Sequence, residues 1–254
     1  MQRFSPRALG LNGGPTIEWR RPVAASWSDA NAQRLFAVIP SDPWYVRGLA
    51  PTLSSRAYAA AKRVIDIVLS LLSLPVVIPV LLLCALAIRI DSPGKAFFSQ
   101  LRTGRGGRRF EMFKLRTMVQ NAAELKERYA HLNELSWPDF KITNDPRATR
   151  VGRFLRKTSL DELPQIFNVL LGDMSLVGPR PTSFAADTYS LWHTARLEVK
   201  PGLTGLWQIS GRYQLDFDER LRLDIAYIRH RCLALDLYIL FRTVGAVFSG
   251  RGAS

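Results

Sequence analysis

The sequence predicts an α+β fold that is mainly helical, with a small β-hairpin, interfacial amphipathic helices and a membrane-embedded re-entrant (helix-break-helix) hairpin near the N-terminus. Three observations support this fold class. Residues 64–88 are almost wholly apolar, two short segments with strand character flank a glycine-rich turn, and residues 232–248 form a second apolar helical pattern. The chain accordingly divides into a partly ordered extension (1–55), a membrane segment (56–92) and a cytoplasmic domain (93–254).

The composition limits the kind of partner. The formal net charge is +14 over 254 residues, so an anionic partner is expected, and nucleic acid, anionic lipid and a phosphate-rich small substrate all fit that charge. Cys84 and Cys232 make no disulfide framework, which indicates a reducing compartment. The three histidines lack metal-ligand spacing. No zinc-finger spacing or RRM-type aromatic motif occurs, so nucleic acid is disfavoured.

The membrane segment is predicted from its length, its prolines and its flanks. The 25 residues 64–88 make about 37 Å of helix, enough to cross a bilayer. Pro75 and Pro79 each remove a backbone donor, so a break near the centre is expected. Basic residues flank both ends, which favours two cytoplasmic ends and hence a hairpin. A single-pass helix and a buried core helix remain as alternatives. Asp66 is interpreted as an ion-pair partner of Lys62 or Arg63.

Strand and helix patterns follow in the cytoplasmic domain. Residues 96–101 and 109–115 predict a β-hairpin around the turn "TGRGG", which lacks the spacing of a phosphate-binding loop. Residues 121–136 predict a polar amphipathic helix. The segment 232–248 suits a helix lying in the membrane interface, although a core helix also fits.

Two adjacent carboxylates, Asp161 and Glu162, stand just before the apolar run "QIFNVLL". Pro164 predicts that a helix begins between Asp161 and Pro164 and ends at Gly172. The simplest interpretation is that Asp161 caps this helix and Glu162 complements its dipole.

Basic residues around the acidic pair favour a second interpretation. Arg150, Arg153, Arg156 and Lys157 precede the pair, and Arg180 follows between two prolines that fix its backbone. Converging guanidinium groups beside a helix start are suited to a phosphate or diphosphate. In such a site one carboxylate can attack phosphorus and its neighbour can hold Mg²⁺.

The ordered motifs "KRVID", "DSPGKAFFSQLRTGRGGRRFEMFKLRTM", "TSLDELPQIFNVLLGDMSLVGPRP" and "VKPGLTGLWQISGR" carry a resemblance. The chain resembles the monotopic phosphoglycosyl transferase superfamily, the bacterial sugar transferases that begin lipid-linked glycan assembly. The resemblance covers roughly Arg56 to the C-terminus. It implies a monotopic enzyme on the cytoplasmic face of the bacterial inner membrane. The family breaks its re-entrant helix at a Ser-Pro pair, which corresponds to Ile78–Pro79 here, with Pro75 as the alternative.

The resemblance also implies an activity and the residues that carry it. Asp161 would attack a UDP-sugar, release UMP and hold a phosphosugar that is then passed to polyprenyl (undecaprenyl) phosphate. Glu162 would bind Mg²⁺. The implied substrate-binding and polar site residues are Arg156, Arg180, Lys114, Arg116, Asp224 and Arg212.

The resemblance leaves several features open. "GLTGLWQISGR" is similar to hexose-transferring exopolysaccharide starters, so glucose and galactose are the expected sugars by analogy. The transferred sugar, the glycan that is built, a homodimer and the role of residues 1–55 are not decided by the sequence. A basic nucleic-acid-binding protein or a membrane adaptor without activity is the competing class.

Overall fold

The computed structural model describes residues 55–134, 142–183, 191–210 and 217–248, all within one compact unit. The extension predicted for residues 1–55 lies outside these residues except for Ser55. The described part is mainly helical with two small sheets, in agreement with the predicted class. Its helices and strands, in chain order, are α1 (Ser55–Asp91), β1 (Phe97–Thr103), β2 (Arg109–Leu115), α2 (Leu125–Arg128), α3 (Arg150–Thr158), α4 (Gln165–Leu171), β3 (Ser175–Val177), β4 (Gly202–Thr204), α5 (Leu206–Ile209), α6 (Phe217–His230) and α7 (Leu233–Phe248).

Helix α1 is the one helix of the described ranges that is long and apolar enough to cross a membrane. It has 37 residues, a mean hydropathy of 2.8 in its most apolar window, and continues through Pro75 and Pro79. The predicted re-entrant hairpin is therefore not shown. Each proline removes a single donor from the helix, whereas every other turn keeps its backbone bonds, which accounts for helical geometry continuing past both sites.

One narrow stripe of α1 is buried. Asp66, Ser70, Val77, Leu81 and Ile88 follow each other at spacings of four and seven residues, which places them on one face of the helix. Val77, Leu81 and Ile88 belong to the same apolar core as residues of the helices and strands that follow. The remaining apolar surface of α1 is exposed, including Leu72 at 71% and Ile90 at 79%.

Both ends of α1 are bonded to elements of this compact unit. Near its start, Tyr58 Oη and Lys62 Nζ donate to Asp236 on α7 at 2.8 and 3.0 Å. At its end, Asp91 accepts a bond from Val151 N of α3 at 3.0 Å. The interpretation of Asp66 as an ion-pair partner of Lys62 or Arg63 is wrong.

Asp66 instead joins α1 to β3. Its Oδ1 accepts bonds from Ser175 Oγ at 3.1 Å and Leu176 N at 3.0 Å. A backbone amide and a hydroxyl satisfy this buried carboxylate, so it needs no lysine or arginine.

The predicted β-hairpin is confirmed. β1 and β2 pair antiparallel, from Phe97 opposite Leu115 to Thr103 opposite Arg109. Gly106 and Gly107 have positive φ in the intervening turn, a conformation that favours glycine. Asn168 of α4 holds the other edge of β2, since it accepts from Phe113 N at 2.9 Å and donates to Glu111 O at 2.7 Å.

The amphipathic helix predicted for residues 121–136 is much shorter in the structure. Turns precede α2, and a 3₁₀ turn follows at Ala130–Leu132. Polar residues dominate this segment and no residue of α2 is buried, so packing does not extend the helix. Residues 135 and 136 lie outside the described ranges.

The C-terminal elements close the core. β3 and β4 pair parallel, and α7 packs against both strands. Leu235 and Ile239 of α7 are fully buried, whereas Phe241 is 82% exposed, so α7 is amphipathic as predicted.

Gly152 lets α3 approach the end of β2. A Cβ at this position would lie 2.0 Å from the carbonyl oxygen of Thr117, a distance that no side chain tolerates. Because α3 carries Arg156, this close approach also sets the distance between Arg156 and Thr117.

We expect Gly152→Ala to lower stability and activity together, because α3 must move away from Thr117. The free energy of unfolding should fall by roughly 2–4 kcal/mol. Chemical denaturation in detergent measures the effect. Gly245→Ala, in α7 with open space around it, is the matched control. Equal stability of the two variants would contradict this account.

Candidate active site

The acidic pair lies in a 3₁₀ turn, Leu160–Glu162, between α3 and α4. Ser159, at the end of α3, has a left-handed backbone that redirects the chain into this turn. α4 then begins at Gln165 and ends before Gly172, close to the predicted bounds. No side chain caps its start, so the expectation that Asp161 caps the helix is wrong.

Glu162 is the acceptor for two cations. Arg180 donates through both terminal nitrogens to its two carboxylate oxygens, with Nη1 2.9 Å from Oε2 and Nη2 bonded to Oε1. Lys114 Nζ lies 3.0 Å from Oε1. Burial acts to raise the pKa of Glu162, but Arg180 and Lys114 outweigh it and hold that pKa well below its usual range. Glu162 is therefore ionised.

Asp161 has a different environment although it is the adjacent residue. It is buried, and its closest cation is Lys114, whose Nζ lies 3.8 Å from Oδ2. Burial raises the pKa of Asp161, partly opposed by Lys114, and the neighbouring charge of Glu162 raises it further. No hydrogen bond holds its carboxylate among the described residues, so its oxygens remain available.

Lys114 reaches both acids from the end of β2. The strand is fixed on one side by β1 and on the other by Asn168, so the position of Lys114 is set by the sheet. The structure thus places Lys114 beside both acids of the predicted site.

Arg180 is positioned through its own backbone. Arg196 Nη2 donates to Arg180 O at 2.6 Å and to Asp224 Oδ2 at 2.7 Å. Asp224 is fully buried, and burial raises its pKa to about 6, partly opposed by Arg196. Asp224 thus acts on the acidic pair through Arg196 and Arg180 rather than by direct contact.

The sequence analysis missed Arg196. It lies in the 3₁₀ segment Leu191–Glu198, three residues before the motif "VKPGLTGLWQISGR", and no local pattern distinguishes it from other arginines. Its burial at 6% exposure, next to a buried carboxylate, is visible only in three dimensions.

Arg156 approaches the pair from α3. Its Nε donates to Thr117 Oγ1 at 2.9 Å, and burial lowers its pKa, partly opposed by the charges of Asp161 and Asp145. Thr117 was not predicted either, although it directly follows "KLR".

Two predicted residues are not placed at the acidic pair. Arg116 turns the other way: it donates to Ser92 O at 2.7 Å, to Ser92 Oγ at 3.0 Å and to Pro93 O, and so holds the segment that follows α1. Residues two apart on a strand point to the same face, but Arg116 lies beyond Leu115, the last strand residue, so strand geometry no longer aligns its side chain with that of Lys114. Arg212 lies outside the described residues.

The carboxylate oxygens of Asp161 and Glu162 are too few to hold Mg²⁺ alone and would do so only together with phosphate oxygens. Oε1 of Glu162 already accepts two bonds, while Oε2 accepts one and Asp161 none from described residues. Within the described ranges, no group of three or more histidine, cysteine or acidic side chains is placed to hold a metal ion. Mg²⁺ is commonly held by one or two carboxylates plus substrate phosphates and water, and the pair fits that pattern.

The chain matches the family described as bacterial sugar transferase over residues 57–250. It is 45% identical over 206 residues to an undecaprenyl-phosphate galactose phosphotransferase of Salmonella typhimurium, covering 79% of this chain and 43% of that protein. It is 44% identical over 200 residues to a UDP-glucose:undecaprenyl-phosphate glucose-1-phosphate transferase of Caulobacter vibrioides, covering 74% and 70%.

A third relative is close to this chain in length. The exopolysaccharide production protein ExoY of Rhizobium meliloti is 38% identical over 200 residues, which cover 76% of this chain and 88% of that protein. By contrast, the chain spans less than half the length of the Salmonella relative. The matched residues include all of α1 beyond its first two residues and every described element that follows. The chain therefore belongs to the bacterial sugar transferase family.

Proposed function

We propose that this protein transfers a sugar-1-phosphate from a UDP-sugar to polyprenyl (undecaprenyl) phosphate, producing polyprenyl diphosphate sugar and UMP. The observation that carries the proposal is the contrast within the acidic pair: Glu162 is tied to two cations, whereas Asp161 is buried beside them with its oxygens available. A carboxylate in that position is suited to attack phosphorus.

In the first step, an Asp161 oxygen attacks the β-phosphorus of the UDP-sugar. A bond forms between that oxygen and phosphorus, and the bond from phosphorus to the bridging oxygen breaks. UMP leaves with the bridging oxygen and its electron pair. The phosphosugar remains on Asp161 as an acyl phosphate, which retains transfer potential.

In the second step, a phosphate oxygen of polyprenyl phosphate attacks the same phosphorus. The phosphorus–Asp161 bond breaks, the carboxylate of Asp161 is regenerated, and the new diphosphate leaves with the lipid. The order is ping-pong, with UMP released before the acceptor reacts.

The cations around the pair make this attack feasible. Without them, a carboxylate and a diphosphate repel each other. Lys114, Arg156 and Arg180 supply positive charge around the acids, and they act strongly because the site is partly dehydrated. Mg²⁺, when bound by Glu162 and Asp161 with the diphosphate, would screen further phosphate charge.

The membrane placement is also proposed. A simple crossing would put the two ends of α1 on opposite sides of a hydrocarbon core of about 30 Å. Tyr58 and Asp91, however, both bond elements of the same compact unit. A re-entrant α1 with both ends on the cytoplasmic face of the inner membrane agrees with these contacts, and α7 would lie in the interface with Phe241 toward lipid.

The names of the relatives support a proposal for the sugar of the UDP-sugar donor. Of those named above, the Salmonella relative is described as a galactose phosphotransferase and the Caulobacter relative as a glucose-1-phosphate transferase, so UDP-glucose or UDP-galactose is the proposed donor. The third is described as an exopolysaccharide production protein, so exopolysaccharide assembly is the proposed use. A homodimer remains a prediction. A nucleic-acid-binding protein or an inactive adaptor is less consistent with the site, because neither requires a buried carboxylate with free oxygens among cations.

We expect Asp161→Asn to lower UMP release by roughly 10³-fold or more, because the amide cannot form the acyl phosphate. Incubation with radiolabelled UDP-sugar alone, followed by intact-mass analysis, should show a phosphosugar adduct on the unaltered protein and none on the variant. Glu124→Gln, at an exposed acid, is the matched control. A fully active Asp161→Asn enzyme would contradict the nucleophile assignment.

Glu162→Gln should lower kcat by roughly 10²-fold and flatten its dependence on Mg²⁺ concentration, because the metal and Arg180 both lose a charged partner. A Mg²⁺ titration of UMP release checks this. If the variant keeps the half-saturating Mg²⁺ concentration of the unaltered enzyme, Glu162 is not a metal ligand.

Acidification should weaken catalysis through Asp224. Its carboxyl is charged above pH about 6 and neutral below it, so its ion pair with Arg196 is present at neutral pH and lost as the pH falls. We expect kcat/KM to show an acid limb near this pH. Asp224→Asn should be roughly tenfold less active at pH 8 and lack the limb. An unchanged limb in the variant would assign it to another group.

A further inference from the structure

Two cations meet at the end of α4 farthest from the acidic pair. A Cβ placed on Gly172 would lie 3.4 Å from Arg63 Nη2 and 3.5 Å from Lys200 Nζ. Both side chains therefore face the small space above a residue without a side chain. Gly172 ends α4 with φ of 92°, a conformation that keeps other residues out of this position.

This space has positive charge without a bonded counter-ion among the described residues. Arg63 donates to the carbonyls of Val169 and Leu170 at 2.6 and 2.8 Å, which are neutral groups. Lys200 makes no hydrogen bond or ion pair with any described residue. Burial lowers its pKa, and the charge of Arg63 lowers it further.

The acids within electrostatic range of Lys200 do not neutralise the two cations. Asp66 already accepts bonds from Ser175 and Leu176, and Asp173 makes no ion pair with either cation. The nearby Arg105 adds positive charge. An anion is therefore the ligand that this space favours.

The surroundings indicate where that anion comes from. Val64, next to Arg63, is 60% exposed, and Leu171, next to Gly172, is 68% exposed. The cations thus stand where the exposed apolar surface of α1 begins. A charged head above an apolar surface is the arrangement that a phospholipid matches.

The distance of this space from the acidic pair argues against its binding a phosphate group that takes part in the reaction. The seven residues of α4 separate Gly172 from the side of the acidic pair, which is about 10 Å of helix. A phosphate held by Lys200 is too far from Asp161 to react, so the ligand is a lipid that is not consumed.

We propose that Arg63 and Lys200 bind the phosphate of an anionic bilayer phospholipid, whose chains cover Val64 and Leu171. This inference rests on the membrane placement of α1 proposed above. The bound lipid would fix the depth and rotation of α1 relative to the catalytic residues.

Native mass spectrometry of the full chain in a neutral detergent tests the site, with phosphatidylglycerol as the probe and phosphatidylcholine as the neutral comparison. Lys200→Gln should weaken phosphatidylglycerol binding about fivefold, the effect of one cation near an anionic lipid. Lys157→Gln, which removes an exposed lysine on α3, should leave it unchanged.

UMP release by Lys200→Gln, measured in the same detergent, separates this proposal from the catalytic one, and activity is expected to persist. Equal phosphatidylglycerol affinity of Lys200→Gln and the unaltered protein would overturn the site. A loss confined to polyprenyl phosphate would overturn its assignment to a phospholipid. Displacement of the lipid by millimolar inorganic phosphate would overturn the role of the apolar surface.

Discussion

The paired bonds between Arg180 and Glu162 are the interaction on which the site depends. The carboxylate of Glu162 is partly buried and would be costly without cations, so its position requires Arg180 and Lys114 to be in place. These residues come from the Gly-Pro-Arg-Pro turn, the 3₁₀ turn and the end of β2. The ion pairs of Glu162 with Arg180 and Lys114 therefore hold together three segments that are distant in sequence. Because Glu162 takes the bonds of both cations, the adjacent Asp161 keeps its oxygens unoccupied.

The end of β2 connects this charge cluster with the segment that follows α1. Lys114 contacts the acidic pair, Leu115 is fully buried in the core, and Arg116 bonds the carbonyls that follow α1. Thr117 then holds Arg156. Four successive residues thus contact the acids, the core, the segment that follows α1, and Arg156. If α1 lies in the bilayer as proposed, a movement of this helix would reach the acidic pair through only a few residues, which would give the lipid environment a short physical route to the proposed chemistry.

Local patterns predicted those parts of the molecule that depend on neighbouring residues. The hairpin follows from alternation and glycine, the end of α4 from Gly172, and the placement of Arg180 beside the acidic pair from its flanking prolines. The parts that were missed or wrong depend on partners far away in the chain. Asp66 pairs with β3, more than a hundred residues later. Arg196 gains its role only because Asp224 and the carbonyl of Arg180 meet it. The direction of Arg116 likewise depends on where the chain passes after leaving α1.

The bonds from Tyr58 and Lys62 to Asp236 join residues 178 and 174 positions apart. At translation rates of about 5–20 residues per second, the ribosome needs roughly 7–30 s to reach Asp236 after it has made Asp91, the last residue of α1. During that interval Tyr58 and Lys62 have no Asp236 to bond. If α1 lies in the bilayer as proposed, it can enter before its bonds with Asp236 form, and the remaining elements would then fold onto an anchor that is already in place.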